Sequence, residues 1–415
     1  MSVSVKKQTL NILLGLCLSS VSSLPAWAGD SFLAKPTAAE REAAVHGHDD
    51  GLLAWPGITG EWGGARDSME EHGVSIEAVY TGEFARNFDA NAVTGNGQKR
   101  TIYHTNTDIT LTIDTEKLGL WSGGTLFIYG LGNTGGSPSA YTGDLQGYSN
   151  IDASYNWLLY EAWYEQQFGD VASLLMGLHD MNSEFYTSDY ASLFLQSSFG
   201  IGPTVSGNIT APSIFPKAGL AARLKVTPTE NMYIQAAIYD GDPTTRGFKA
   251  GEGNMYIAES GMSSDTGTYK VGYWQHTAAV TFGANNFAND HGVYGVIDQQ
   301  IASLDGDASI GWFLQYGYAP KDRNQVFNYV GSGFHVHGLI PSRGEDDLGI
   351  AIARANTHIN PTAANVAETT TELTYRLVAT PWFAVQPSFQ IIQKPGGDAA
   401  APTVKAGLLR FEISL

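Results

Sequence analysis

The chain has 415 residues, a formal charge of −18 from 23 Lys+Arg against 41 Asp+Glu, 15% charged residues, 11% aromatics and 48 glycines. That composition is too apolar and aromatic for a disordered polyanion and too glycine-rich for a helical bundle. It is too acidic for a general nucleic-acid binder, which needs a basic footprint to release counterions.

The first 28 residues read as an export leader. Lys6 and Lys7 precede an apolar stretch from Leu10 to Val21, Pro25 breaks it, and Ala26-Trp27-Ala28 offers small residues for cleavage after Ala28. The one cysteine, Cys17, lies inside this stretch, behind Leu16 where a lipoprotein needs a small residue. The chain beyond is therefore expected to hold no disulfide, no Cys-ligated zinc and no thiol nucleophile. Residues 29–73 are expected to form a periplasmic arm: a weak helix or mobile stretch over 35–50, then one or two helical turns over 64–72 ended by Gly73.

From 74 to 415 no run approaches the ~18–20 apolar residues of a membrane-spanning helix. The apolar residues alternate instead, which is the mark of a strand. Over 103–114, Tyr103, Ile109, Leu111 and Ile113 oppose His104, Asn106, Asp108, Thr110 and Asp114. Over 158–167, Leu158, Tyr160, Ala162 and Tyr164 oppose Glu161, Trp163, Glu165 and Gln167. Over 219–226, Leu220, Ala222, Leu224 and Val226 oppose Ala221, Arg223 and Lys225. Over 372–379, Leu373, Tyr375, Leu377 and Ala379 oppose Glu372, Thr374 and Arg376. Over 383–391, Phe383, Val385, Phe389 and Ile391 oppose Gln386, Ser388 and Gln390, and the chain closes with Phe411, Ile413 and Leu415 against Arg410, Glu412 and Ser414.

Charged residues deep inside such strands fit a lumen, although a β-sandwich with one wet face gives the same alternation. Tyr269, Tyr273, Trp312, Tyr318, Trp382 and Phe383 fall near strand ends, where aromatic girdles meet the headgroups. About sixteen strands fit between Val74 and Leu415, enough for an all-β transmembrane antiparallel barrel around water rather than a packed core. Stretches at 132–156 and 181–213 are expected to be long loops, some folding inward.

Other signals are set aside. Gly130-Leu131-Gly132-Asn133-Thr134-Gly135 has a dinucleotide-binding spacing, but Gly136-Ser137-Pro138 follows where a helix is required. His46, His48, Asp49 and Asp50, and the pair His335 and His337, lack further ligands nearby in sequence. Asp240-Gly241-Asp242 and Asp305-Gly306-Asp307 read as short acidic turns. Glu161 and Glu165 are four apart on a strand, about 13 Å, beyond the reach of a glycosidase pair. No enzyme activity, cofactor or metal is expected.

Several motifs in order carry a family resemblance. They are Trp62-Gly63-Gly64-Ala65-Arg66 with Gly73; Gly143-Asp144-Leu145-Gln146-Gly147 with Ser149-Asn150-Ile151; Tyr160-Glu161-Ala162-Trp163-Tyr164-Glu165-Gln166; and Asn182-Ser183-Glu184-Phe185 with Tyr190-Ala191 and Ser197-Ser198-Phe199-Gly200. Tyr239-Asp240-Gly241-Asp242-Pro243, Asp298-Gln299-Gln300, Ala319-Pro320-Lys321-Asp322-Arg323-Asn324, Glu372-Leu373-Thr374-Tyr375-Arg376 and Pro395-Gly396-Gly397 follow. From about 59 to 415 the chain resembles the carbohydrate-selective porins of the OprB type. It departs in ending on Leu415 rather than an aromatic, with Phe411 four residues earlier.

The resemblance implies a 16-stranded outer-membrane barrel that passes glucose and other sugars. Its implied partners are small carbohydrates, outer-membrane lipid and the barrel-assembly machinery, with the chain a monomer or a homotrimer. For a sugar lumen, Arg223, Lys225, Arg376 and Arg410 would donate charge-assisted hydrogen bonds, and Glu161, Glu165, Asp108 and Glu372 would accept them. Trp163 would offer a ring face. Such sites must bind weakly, at about −4 kcal/mol, or the solute blocks its own flux. A porin of the same family for organic acids or amino acids, and a periplasmic β-sandwich that binds carbohydrate, are the alternative readings.

Overall fold

A computed structural model describes residues 55, 57–89, 99–209, 211–304, 306–358 and 362–415. The leader with Cys17, the stretch over 35–50, the His46–Asp50 group and Asp305 lie outside the described residues.

A short helix, Ala65–Glu71, precedes the sheet. Gly63 and Gly64 both take positive φ (69° and 88°), which makes the tight entry, and Gly73 (φ 83°) makes the exit. Arg66 stacks 4.6 Å over the Trp62 ring and donates from Nη2 to the main-chain oxygen of Leu415 at 2.7 Å. The Trp-Gly-Gly-Ala-Arg motif thus ties the helix to the seam where the last strand meets the first.

The strands are β1 (Val74–Asn87), β2 (Thr101–Asp114), β3 (Gly124–Gly135), β4 (Asn156–Phe168), β5 (Ala172–His179), β6 (Gly219–Thr229), β7 (Met232–Asp240), β8 (Asn254–Ser264) and β9 (Gly267–His276). They continue with β10 (Val280–Phe282), β11 (Asn285–Phe287), β12 (Asp290–Ser303), β13 (Ser309–Tyr318), β14 (Val326–His337), β15 (Asp347–Thr357), β16 (Val366–Thr380), β17 (Phe383–Gln393) and β18 (Val404–Ser414). Among the described residues β10 and β11 form a separate two-stranded hairpin, and the other sixteen close a barrel in chain order. Every neighbouring pair is antiparallel, and β1 closes on β18 from Val79↔Ser414 to Asn87↔Ala406.

Connections at one end are brief (169–171, 230–231, 265–266, 381–382), and those at the other are longer (136–155, 180–218, 241–253). That asymmetry sets short periplasmic turns against long outer loops. No helix among the described residues is long and apolar enough to cross a membrane; the strands make the crossing.

The sidedness inverts that of a soluble protein. Leu224, Val271, Ile352 and Leu373 are 51%, 62%, 47% and 50% exposed, while Arg223 and Glu372 are 2% and 0% exposed. Apolar side chains left outward on every strand need lipid to cover them. Aromatic pairs mark the rims: the Trp121 Nε1 donates to Tyr164 Oη at 2.7 Å, Tyr80 and Tyr103 share a 2.6 Å hydroxyl contact, and Trp382 lies 6.0 Å from Phe383.

Two features differ from the alternation pattern. In β4, Tyr160 and Leu158 face inward rather than sharing the outer face with Ala162 and Tyr164. A β-bulge pairs Tyr129 with Glu161 and Gly130 with Leu159, so Tyr160 is the extra residue and the parity flips there. The inner face is also not polar throughout. Ala221, Ala237, Met255, Ile257 and Val296 point inward and pack on Met181, Phe185, Tyr186, Ile201, Val205 and Ile209 of the 180–218 connection.

Candidate functional site

The 180–218 connection lies inside the barrel, and the wall is shaped to receive it. Gly311 and Gly349 face inward where a Cβ would stand 2.1 Å from the Tyr190 ring and 2.7 Å from the Phe194 ring. Ala351 and Ala353 beside them complete a cluster with Leu193, Phe194 and Phe199. Small wall residues opposite bulky loop residues fill the space without a void.

Polar wall residues fix the loop by its backbone, which would otherwise be buried without partners. Glu259 accepts from the Tyr186 N–H at 3.0 Å and from the Tyr233 and Tyr294 hydroxyls at 2.7 and 2.8 Å. Asp298 accepts from Ser188 Oγ at 2.6 Å and from the Asp189 and Tyr190 N–H groups at 3.2 and 3.3 Å. Glu372 accepts from the Leu195 and Gln196 N–H groups at 2.9 and 3.0 Å and from Ser388 Oγ at 2.7 Å. Gln386 and Gln315 donate to the Leu193 and Phe199 carbonyls, each at 2.7 Å.

The 136–155 connection is held alike. Glu368 accepts from the Leu145 and Gln146 N–H groups at 2.7 and 3.0 Å, and Gln390 donates to the Tyr148 carbonyl at 2.9 Å. The two loops then join, Asn150 N–H to the Leu195 carbonyl and Ser197 N–H to the Gly147 carbonyl, both at 2.8 Å.

Three guanidinium groups organise the charge inside. Arg223 of β6 donates to Ser173 Oγ at 2.6 Å, to Glu165 Oε1 at 2.9 Å and to Glu184 Oε1 at 2.5 Å. Because Glu184 belongs to the inward loop, this clamps loop to wall. Burial alone would push the Glu184 carboxyl up, but Arg223 beside it outweighs that and holds it below its ordinary value. Lys225 sits 5.0 Å over the Tyr233 ring.

Arg410 of β18 donates from Nε and Nη2 to Glu83 Oε2 at 3.0 and 2.8 Å, and His104 Nε2 is 3.2 Å from Glu83 Oε1. Arg376 of β16 is held more loosely, with Nη1 3.6 Å from Asp347 Oδ2 and Nη2 3.9 Å from Glu412 Oε2. Its Nε and Nη2 are buried without a hydrogen-bond partner. Asp347 Oδ1 in turn is 2.8 Å from His335 Nε2 and 2.9 Å from His337 Nδ1.

The nine lumen positions singled out from sequence therefore divide. Arg223, Lys225 and Glu165 converge around Glu184, and Arg376 and Arg410 face inward from neighbouring levels of β16 and β18. Glu161 accepts from the Trp163 indole at 3.2 Å and the Asp180 N–H at 3.0 Å, and Trp163 stacks on Phe127 at 4.8 Å. Asp108 accepts from Asn106 Nδ2 at 2.6 Å and also from the Tyr129 hydroxyl. These three, with Glu372, have their polar atoms committed to wall and loop.

Sequence reading passed over Glu83, Glu184, Glu259, Asp298 and Asp347. Their signal was present as carboxylates at the inward parity of a strand or within the Asn182–Phe185 and Asp298–Gln300 motifs. Among the described residues no three His, Cys, Asp or Glu side chains form a metal-binding group.

Comparison with known proteins places this architecture. The profile of the family described as carbohydrate-selective porin, OprB family, matches residues 98–415. Porin B of Pseudomonas aeruginosa is 26% identical over 418 residues, covering 85% of this chain and 90% of that protein. The high-pH structure of Pseudomonas putida OprB superposes with a TM-score of 0.77 at 22% identity, over 87% of this chain and 99% of that one. The OmpT loop-deletion protein of Vibrio cholerae gives 0.52 at 9% identity, over 83% and 100%. Both superpositions speak to the fold.

Proposed function

The chain belongs to the OprB family of carbohydrate-selective porins, and from that premise we propose that it is a passive, sugar-preferring channel of the bacterial outer membrane. Small carbohydrates such as glucose would cross between the inward 180–218 loop and the opposite wall. The observation that carries this is the guanidinium set. Arg223, Arg376 and Arg410 all face inward, each set against carboxylates of the wall or the loop.

Hydroxyl groups accept from such donors, and a neutral solute gains from fixed paired charges without a net field that would hold ions. Arg223, Lys225, Glu165, Arg376 and Arg410 would line the passage, with Glu161, Trp163, Asp108 and Glu372 supporting it. Trp62, Gly63, Gly64 and Arg66 would anchor a periplasmic segment over 29–73, ahead of the barrel over 74–415 and behind a cleaved leader over 1–28. Outer-membrane lipid and the barrel-assembly machinery are the partners such a barrel needs.

Swelling of liposomes carrying the purified protein tests the reading. Faster swelling in glucose than in size-matched amino acids is expected; equal rates would replace the sugar preference with a general or other-solute porin.

A further inference from the structure

The acidic total of the chain hides a basic band on its outer surface. In β15, Ile350, Ile352 and Arg354 are exposed while Ala351, Ala353 and Ala355 are buried, so Arg354 points outward just above the greasy belt. Thr369 and Gln393 continue that row, since Arg354 pairs with Thr369 and Thr369 with Gln393. Lys405 is exposed on β18 at the parity of Leu409, opposite Ile391 of β17, and Arg86 is exposed on β1 at the parity of Phe84. Lys394, also exposed, follows Gln393 in the left-handed region at φ 51°.

Arg354, Asn356, Thr369, Gln393 and Lys394 line a cavity of about 260 Å³ that opens to the outside of the barrel. Four strand spacings separate Arg354 from Arg86, roughly 19 Å. The acidic side chains here are engaged: Asp89 and Asp398 accept the Lys405 and Ala400 N–H groups at 2.7 and 2.8 Å, and Glu368, on the inner face beside Thr369, accepts the Gly396 N–H at 2.6 Å. Beneath the cations Ile352, Leu373, Phe389, Leu409 and Phe84 are all exposed.

This end carries the long loops, so it faces out of the cell. A cation belt directly above an apolar face, with a polar cavity between two of the cations, matches a ligand with phosphate groups over acyl chains. We propose that the β15–β18–β1 sector binds a phosphorylated glycolipid of the outer leaflet, its phosphates at Arg354 and Lys394 and along Lys405 and Arg86, its chains on the apolar residues below. The site rests on the outer-membrane location and is independent of which solute the lumen passes.

The test uses the full chain purified in a zwitterionic detergent, with bis-phosphorylated lipid A as probe and native mass spectrometry as readout. Arg354→Ser/Lys394→Ser/Lys405→Ser is compared with Lys249→Ser/Lys321→Ser, which removes exposed cations from other outer loops. The first variant should bind lipid A about a hundredfold more weakly, about fivefold for each cation removed, and the second should bind as the unaltered protein does. Phosphate-free lipid A, inorganic phosphate and dioleoylphosphatidylglycerol should all bind far less than lipid A. Equal binding by the two variants would overturn the proposal. So would phosphatidylglycerol matching lipid A, or cross-links showing that a second copy of the chain covers this sector. Folding of both variants is checked by the heat-dependent mobility shift of the barrel on gels, and glucose swelling should be unchanged in both.

Discussion

Removing Arg223 should release one end of the inward loop. The Arg223→Ala change deletes the bonds to Ser173, Glu165 and Glu184. The side chains of Arg223, Glu184 and Glu165 are only 2%, 9% and 14% exposed, so the small values of surface pairs do not apply. Leaving buried carboxylates without their cation costs about 3–5 kcal/mol. The β4, β5 and β6 ladders hold Glu165, Ser173 and residue 223 in place, so the cost falls on the loop around Glu184 rather than on the barrel.

Planar-bilayer recording should show a changed single-channel conductance, a shift toward cation selectivity from the two uncompensated carboxylates, and weaker block of current by glucose. Arg223→Ala/Glu184→Gln should recover part of the selectivity shift, because it removes one orphaned charge. Arg223→Lys should fall between, since an ammonium lacks the second nitrogen that holds Ser173 while Nη2 reaches both carboxylates. If Arg223→Ala leaves conductance, selectivity and sugar block all unchanged, Arg223 is not part of the narrowing and the clamp reasoning fails.

Glu372→Ala strips acceptors from the Leu195 and Gln196 N–H groups, at about 1–3 kcal/mol for each donor left unpaired. Conductance should rise and glucose discrimination in swelling assays should fall. The Glu184 carboxyl is held below its ordinary value, so its share of stability is full above about pH 4.3 and is lost as pH falls through the lower folded value. Conductance recorded downward from pH 5 should therefore change in acid, and Glu184→Gln should abolish that change. On the outer face, Val271→Arg, at the middle of β9, should destabilise the refolded barrel by about 2–4 kcal/mol, measured by urea titration in lipid vesicles.

The regular strands were legible because their parity holds along the membrane-spanning stretch, with register shifts in β6 and β16 confined to the turn ends. Within the apolar belt of β6, β16, β17 and β18 the charged and amide residues fall opposite apolar ones, and the structure keeps Arg223, Arg376, Gln386 and Arg410 inward. β4 misled because a single bulged residue, Tyr160, reverses the parity within one strand, and no local composition announces it. The loop core was legible only as a loop. Met181, Phe185 and Tyr186 become interior through Glu259 and Tyr294, which lie far along the chain. The Arg376–Asp347–His335 group is assembled from β16, β15 and β14 by register alone, and register depends on turn lengths that alternation does not reveal.

The central claim is the sidedness of these strands, and adjacent residues of one strand test it. The sole cysteine is Cys17, so single cysteines placed at 224 and 225, and at 271 and 270, can each carry a spin label in the reconstituted protein. Labels at 224 and 271 should relax with oxygen dissolved in the bilayer and resist a water-soluble nickel chelate, while labels at 225 and 270 should do the reverse. Equal access of the chelate to both members of each pair would contradict a lipid-facing side and a water-facing side.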